Sequence, residues 1–155
     1  VLIFHVFGTL LTLVLQSSSA TMAITLITLS MAWIPFNMAC AMVLGENIGT
    51  TITANIAAAV GNTQAKRAAM SHTIFNVFGV IWALILFKPF LSLVGLIIEL
   101  FGLPNPAAEV FAVTGPNTAS SVAALYGLSM LHTLFNTINT CILIWFTKVI
   151  EKSVT

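Results

Sequence analysis

Two apolar runs flank the first polar interruption in this chain. Val1 to Leu15 is broken only by His5, Gly8 and two threonines, and Met22 to Trp33 is similarly apolar. Between them stands Gln16-Ser17-Ser18-Ser19-Ala20-Thr21, polar or small throughout. Neither run reaches the roughly 20 residues that a helix needs to cross a bilayer. Irregular backbone survives at membrane depth only where it lines a cavity or is buried in protein. The pattern therefore predicts a re-entrant helical hairpin over residues 1–33 with the triple serine at its tip.

The same alternation divides the rest of the chain. Ile34-Pro35-Phe36-Asn37 reads as a connector, because proline disfavours a helical residue before it. An apolar segment over 38–60 carries Gly45-Glu46-Asn47-Ile48-Gly49-Thr50-Thr51 at its middle, where a plain span would carry leucine. Glycines in a membrane helix serve close packing; glycines around Glu and Asn, followed by two threonines, read better as a helix unwound to expose carbonyls to a cation. The segment is thus expected to be a broken helix. A polar loop, 61–67, ends in Lys66 and Arg67, and 68–87 is long enough to span before Lys88-Pro89. Residues 90–103 predict an interfacial or re-entrant helix. Residues 104–120, with three prolines and a glycine beside the last of them, predict a loop. A final span over 121–147 runs into Lys148 and Lys152.

Composition fixes the solvent. Only 6% of the 155 residues are charged, 59% are hydrophobic, and mean hydropathy is +1.07. Soluble domains carry about 25% charged residues, so the class is all-α integral membrane. A net charge of +1 gives no reason to expect nucleic acid as a partner. The positive-inside rule places loop 61–67 and the C-terminus in the cytoplasm, with 90–103 not crossing. Cys40 and Cys141 both fall in apolar segments and read as small buried hydrophobes. The start inside an apolar run, without Met, carries the expectation of a larger protein extending upstream.

One local pattern occurs twice. Ser71-His72-Thr73-Ile74-Phe75-Asn76 is echoed by Leu131-His132-Thr133-Leu134-Phe135-Asn136. His and Asn four residues apart share a helix face. His72, Asn76, His132 and Asn136 are accordingly candidates for interhelical hydrogen bonding, the commoner use, or for gating and ligand contact. Asn139 extends the second set by one turn. Glu46 is an acidic residue deep in a span, which makes it a functional candidate. Enzyme chemistry is not supported. The serines lack a G-x-S-x-G setting, the histidines lack ligands at zinc spacing, and no P-loop is present.

The tip has its own chemistry. Free N–H groups and the positive dipole end of the second hairpin helix favour an anion, and serine hydroxyls and the Gln16 amide add donors. The same oxygens suit an alkali cation. Anion and cation bound together offset the cost of burying either alone. These residues point to an ion-coupled transporter for a small anion.

The segments Gln16–Thr21, Gly45–Thr51 and Ala69–Asn76, in this order, resemble the type II sodium–phosphate cotransporter family in its bacterial branch, and His132–Asn136 is similar to its closing helix. That family is built from two inverted repeats, each with one QSSS hairpin, and moves its site across the membrane as a unit. The resemblance implies phosphate binding by Gln16, Ser17, Ser18 and Ser19. It implies sodium, the coupling ion, near Gln16, Ser18, Thr21, Asn47, Thr50 and Thr51, with no other cofactor. It further implies a multi-pass protein of the bacterial inner membrane. Only one QSSS is present, so the chain matches one repeat, and its partner is either an upstream half or a second copy in a homodimer. Glu46 stands where the family commonly has a small residue and is a candidate coupling carboxylate. Transport of another oxyanion, phosphate export, and a scaffold or regulatory subunit are the alternatives.

Overall fold

The computed structural model describes residues 1–155 as an assembly of helices without a strand. The helices are α1 (Leu2–Leu15), α2 (Ser18–Ser30), α3 (Phe36–Ala59), α4 (Thr63–Ile85), α5 (Phe87–Leu100), α6 (Ala119–Leu143) and α7 (Thr147–Val154), with a 3-10 turn, Ile144–Phe146, before the last. Local chemistry sets the breaks. Gln16 adopts a left-handed conformation (φ 51°) that closes α1, its N–H donating to Thr12 O at 2.8 Å. Pro35 precedes the first turn of α3, and Asn62 caps α4 by accepting from the Ala65 amide at 2.9 Å. Thr118 and Ser121 form a reciprocal capping box at the start of α6. Pro89 falls in the first turn of α5, where its missing N–H leaves no helix bond unmade.

α3 is the hub. Residues 39–46 of this 24-residue helix are all buried. Cys40, Val43 and Leu44 join Leu29 of α2, Val80 of α4, Val94 of α5 and Leu128 and Phe135 of α6 in one apolar core. Trp82 seals it, edge-on to Phe90 at 5.3 Å and stacked on Phe135 at 5.9 Å. The outside is also apolar. Ile3, Val14, Leu100 and Trp145 are each at least 80% exposed, which suits lipid rather than water. Only α4 and the stretch Ala119–Val154 are long and apolar enough to cross a membrane by length and composition.

The expected break in the 38–60 segment is corrected. α3 is a continuous helix from Phe36 to Ala59, straight through Gly45–Thr51. Its glycines serve close packing. A Cβ on Gly45 would lie 1.9 Å from the His5 carbonyl oxygen, and one on Gly49 would lie 2.8 Å from that of Thr9. From the other side, a Cβ on Gly8 would lie 2.2 Å from Met42 O. Backbone meets backbone along this α1–α3 seam, and Thr9 Oγ1 donates across it to Gly45 O at 2.9 Å. Cys141 is also corrected: it is exposed, while Cys40 is buried.

Several boundaries differ from expectation: α3 begins at Phe36 inside the expected connector, and α4 begins at Thr63, so that most of the expected loop 61–67 is helical. The 90–103 segment is helical from Phe87 to Leu100, 14 residues with Phe90, Val94 and Ile98 turned into the core. The final span ends at Leu143 and turns through residues 144–146 into α7. There α7 meets the start of α4 around a cavity of about 410 Å³ lined by Gln64, Arg67, Thr147 and Glu151. Residues 61–67 and the C-terminus therefore lie at one end of the molecule. Throughout, threonines bond back onto their own helices: Thr12, Thr28, Thr50, Thr73 and Thr133 each donate to the carbonyl four residues earlier, at 2.7–3.0 Å, and Thr9 and Thr25 share their single proton between that carbonyl and an acceptor on α3.

Candidate functional site

α1 and α2 form a hairpin joined by Gln16 and Ser17, and the tip sorts its serines by position. Ser17 is the N-cap of α2, with its Oγ accepting from the Ala20 amide at 3.2 Å. Its hydroxyl is also 3.2 Å from that of Ser19. Ser18 and Ser19 occupy the first turn, where amide N–H groups have no intrahelical partner, and both side chains face a cavity of about 320 Å³. Gln16 is exposed on the turn and does not line that cavity. Below the tip the hairpin is held by buried hydroxyls. Thr12 Oγ1 reaches Thr21 Oγ1 at 3.2 Å, and Thr21 in turn donates to Ser17 O at 3.1 Å.

α3 contributes Glu46, Asn47 and Thr50 to the same cavity. Helical periodicity explains this: Gly45 and Gly49 share one face, while 46, 47 and 50 fall on another. Glu46 is only 3% exposed, and its Oε1 accepts from Thr25 Oγ1 at 3.0 Å. Thr50 Oγ1 donates to Glu46 O at 2.7 Å. Thr51 is buried with its hydroxyl on Ile48 O, and neither it nor Thr21 lines the cavity.

The two His/Asn helices close the other side. His72, Phe75 and Asn76 of α4 and His132 and Asn136 of α6 complete the lining with Met22 of α2, and Met22 and Phe75 are the only hydrophobic residues among the eleven. The asparagines follow one rule. Asn47, Asn76 and Asn136 each donate Nδ2 to the carbonyl four residues back, at 3.1, 3.0 and 2.9 Å. Only the amide nitrogen can donate to a carbonyl, so the bond fixes each flip and leaves Oδ1 free of that contact. Three neutral amide oxygens, serine and threonine hydroxyls, two imidazoles and one carboxylate thus share a single space. No lysine or arginine lines it.

The structure therefore brings together Ser18, Ser19, Glu46, Asn47, Thr50, His72, Asn76, His132 and Asn136. It leaves Gln16, Ser17, Thr21 and Thr51 outside the lining. Asn139 takes the interhelical role instead: its Nδ2 donates to Phe75 O at 2.7 Å and its Oδ1 accepts from Trp82 Nε1 at 3.2 Å, clipping α6 to α4. Sequence reasoning missed the seam formed by Gly8 with Gly45 and Gly49. The signal was the glycine in the first helix, which made sense only once its partner helix was known.

Comparison with known proteins bears on this cavity. The profile of the Na+/Pi-cotransporter family matches residues 3–105. The chain belongs to that family. The matched stretch holds the serine tip, the Gly45–Thr51 face and the first His/Asn set, while α6, with His132 and Asn136, lies beyond it. The chain is also similar to the uncharacterized protein YqeW of Bacillus subtilis (strain 168), 40% identical over 103 residues. That alignment covers 66% of this chain and 32% of YqeW, so the chain spans about a third of its relative's length. No solved structure matches the chain. Membership places the chain in a transporter family rather than an enzyme class, and with two helices long and apolar enough to cross a membrane it reads as a membrane protein.

Proposed function

We propose that this chain supplies one wall of a sodium-coupled phosphate transport site in the bacterial inner membrane. The observation that carries the proposal is the opening of the α2 N-terminus, with Ser18 and Ser19, onto a cavity rich in neutral oxygen ligands. The anion lies at the helix start, where unpaired N–H groups and the dipole favour negative charge. Sodium is held by hydroxyl and amide oxygens, those of Asn47, Thr50, Asn76 and Asn136 among them, which line the same cavity as the serines. Gln16 and Ser17 act from the turn, and Thr21 and Thr51 hold the helices that carry the ligands.

Because no basic side chain lines the cavity, the coupling cation supplies the charge that offsets burial of the anion. This gives a physical reason for coupling: neither ion is bound well without the other. The hairpin is re-entrant and the chain forms one unit of an inverted repeat, whose mate, an upstream half or a second copy, completes the site. The end bearing Lys66, Arg67, Lys148 and Lys152 faces the cytoplasm.

The test is phosphate uptake by the intact protein in liposomes, driven by an inward sodium gradient. Ser18→Ala is expected to lower uptake at least roughly tenfold, the loss of about 1.4 kcal/mol that one hydrogen bond to a charged group supplies. Uptake by the wild type that ignores the sodium gradient would sink the proposal.

A further inference from the structure

An anion cavity that contains a carboxylate and no basic side chain presents a problem in charge. Glu46 lines the cavity and is 3% exposed, and Thr25 occupies only Oε1, leaving Oε2 without a protein partner. The other titratable groups that face it are imidazoles, His72 from α4 and His132 from α6; α2 contributes hydroxyls and Met22. An ionised carboxylate can only accept hydrogen bonds. A neighbouring oxyanion is tolerated beside it when one of its own oxygens carries a proton to donate.

That condition separates tetrahedral anions by chemistry. Inorganic phosphate at neutral or mildly alkaline pH keeps at least one P–OH, and arsenate keeps an As–OH. Sulfate keeps none. We propose that Glu46, ionised at mildly alkaline pH, is the specificity-determining residue of this cavity, its Oε2 accepting a hydrogen bond from the protonated oxygen of phosphate and rejecting sulfate, which has no proton to place between the two negative oxygens. The inference rests on the cavity being the phosphate site. Thr25 is its positioning residue: the hydroxyl on Oε1 holds the carboxylate so that Oε2 turns to the cavity. Charge-assisted O–H···O⁻ bonds are short and strong, and juxtaposed like charges without a proton between them carry a large penalty.

The experiment is competition in the intact protein reconstituted in liposomes, at mildly alkaline pH, with radiolabelled phosphate as the probe and unlabelled sulfate or arsenate as competitor. In the wild type, arsenate inhibits uptake and sulfate does not. Glu46→Gln replaces an acceptor-only group with an uncharged amide that can donate to either anion; phosphate binding, losing its charge-assisted bond, weakens a few-fold, while the inhibition constant for sulfate falls by roughly tenfold or more. Glu46→Asp keeps the charge and continues to exclude sulfate, so the pair separates charge from shape even if one variant inserts poorly. Sulfate exclusion that persists in E46Q overturns the inference, as does sulfate inhibition of E46D equal to that of E46Q. Altered sodium dependence of E46Q with sulfate still excluded also overturns it, and assigns the carboxylate to the cation instead. Wild-type protein that takes up no phosphate overturns the reading of the cavity itself, a result distinct from all of these.

Discussion

The two faces of α3 through Gly45–Thr51 are built on opposite rules. Toward α1 the helix offers glycines: Gly45 meets backbone at His5 and Thr9, and Gly49 meets the Thr9 carbonyl and the Thr12 side chain. Toward the cavity it offers Glu46, Asn47 and Thr50, side chains with unspent hydrogen-bonding capacity. One face is dry and full; the other is polar and open. The lesson is that a glycine-rich polar stretch in an apolar helix need not unwind to present polar side chains to a cavity. A regular helix can give its small residues to a neighbour and its ligands to a site, because 3.6 residues per turn separates the two sets.

The largest effect should come from breaking the dry face. Gly45→Ala places a methyl against the His5 carbonyl and the Thr9 amide, groups that cannot rotate away. We expect destabilisation at or beyond the ~3 kcal/mol upper end of ordinary overpacking, read as a large fall in melting temperature in detergent. A melt unchanged from wild type would mean that the seam is not closed. Next is the clip between the cavity's far helices. Asn139→Ala removes both bonds to α4 and is expected to lower stability by about 1–2 kcal/mol, by the same measurement. A comparison of neighbouring serines sharpens the tip. Ser17→Ala should lower stability by about 1 kcal/mol through the lost N-cap. Ser18→Ala should leave the melt in place while uptake falls, and equal melts for the two variants would contradict the division between cap and ligand.

Much of the site was legible from residue types at helical spacing. The repeated His/Asn pair and the serine tip were each readable as one-sided polar surfaces, and the fold draws them around one cavity with Asn47 and Thr50. What could not be read was pairing. Gly45 and Gly49 fit either an unwound helix or a close crossing, and only the packing of α1 against them, at His5, Thr9 and Thr12, decides between them. Likewise Ser17 and Ser18 are chemically the same in sequence; whether a hydroxyl caps its own helix or faces a cavity depends on which residue begins the helix. Cys141 looks buried by its neighbours, but it lies on an outward side of α6 that hydropathy does not distinguish from an inward one.

The back-bonded threonines have a consequence for how this chain partitions into lipid. α3 is 24 residues long, yet it is not among the helices apolar enough to count as a span by composition. Hydropathy scales charge each threonine for a hydroxyl stripped of water, as though it arrived in the hydrocarbon alone. Here Thr50 delivers its proton to Glu46 O, and Thr12, Thr28 and Thr73 do the same on their own helices. A hydroxyl already satisfied loses little on leaving water. What such a helix shows its surroundings is chiefly the methyl of each threonine, so these segments behave in a bilayer as oilier than their letters suggest.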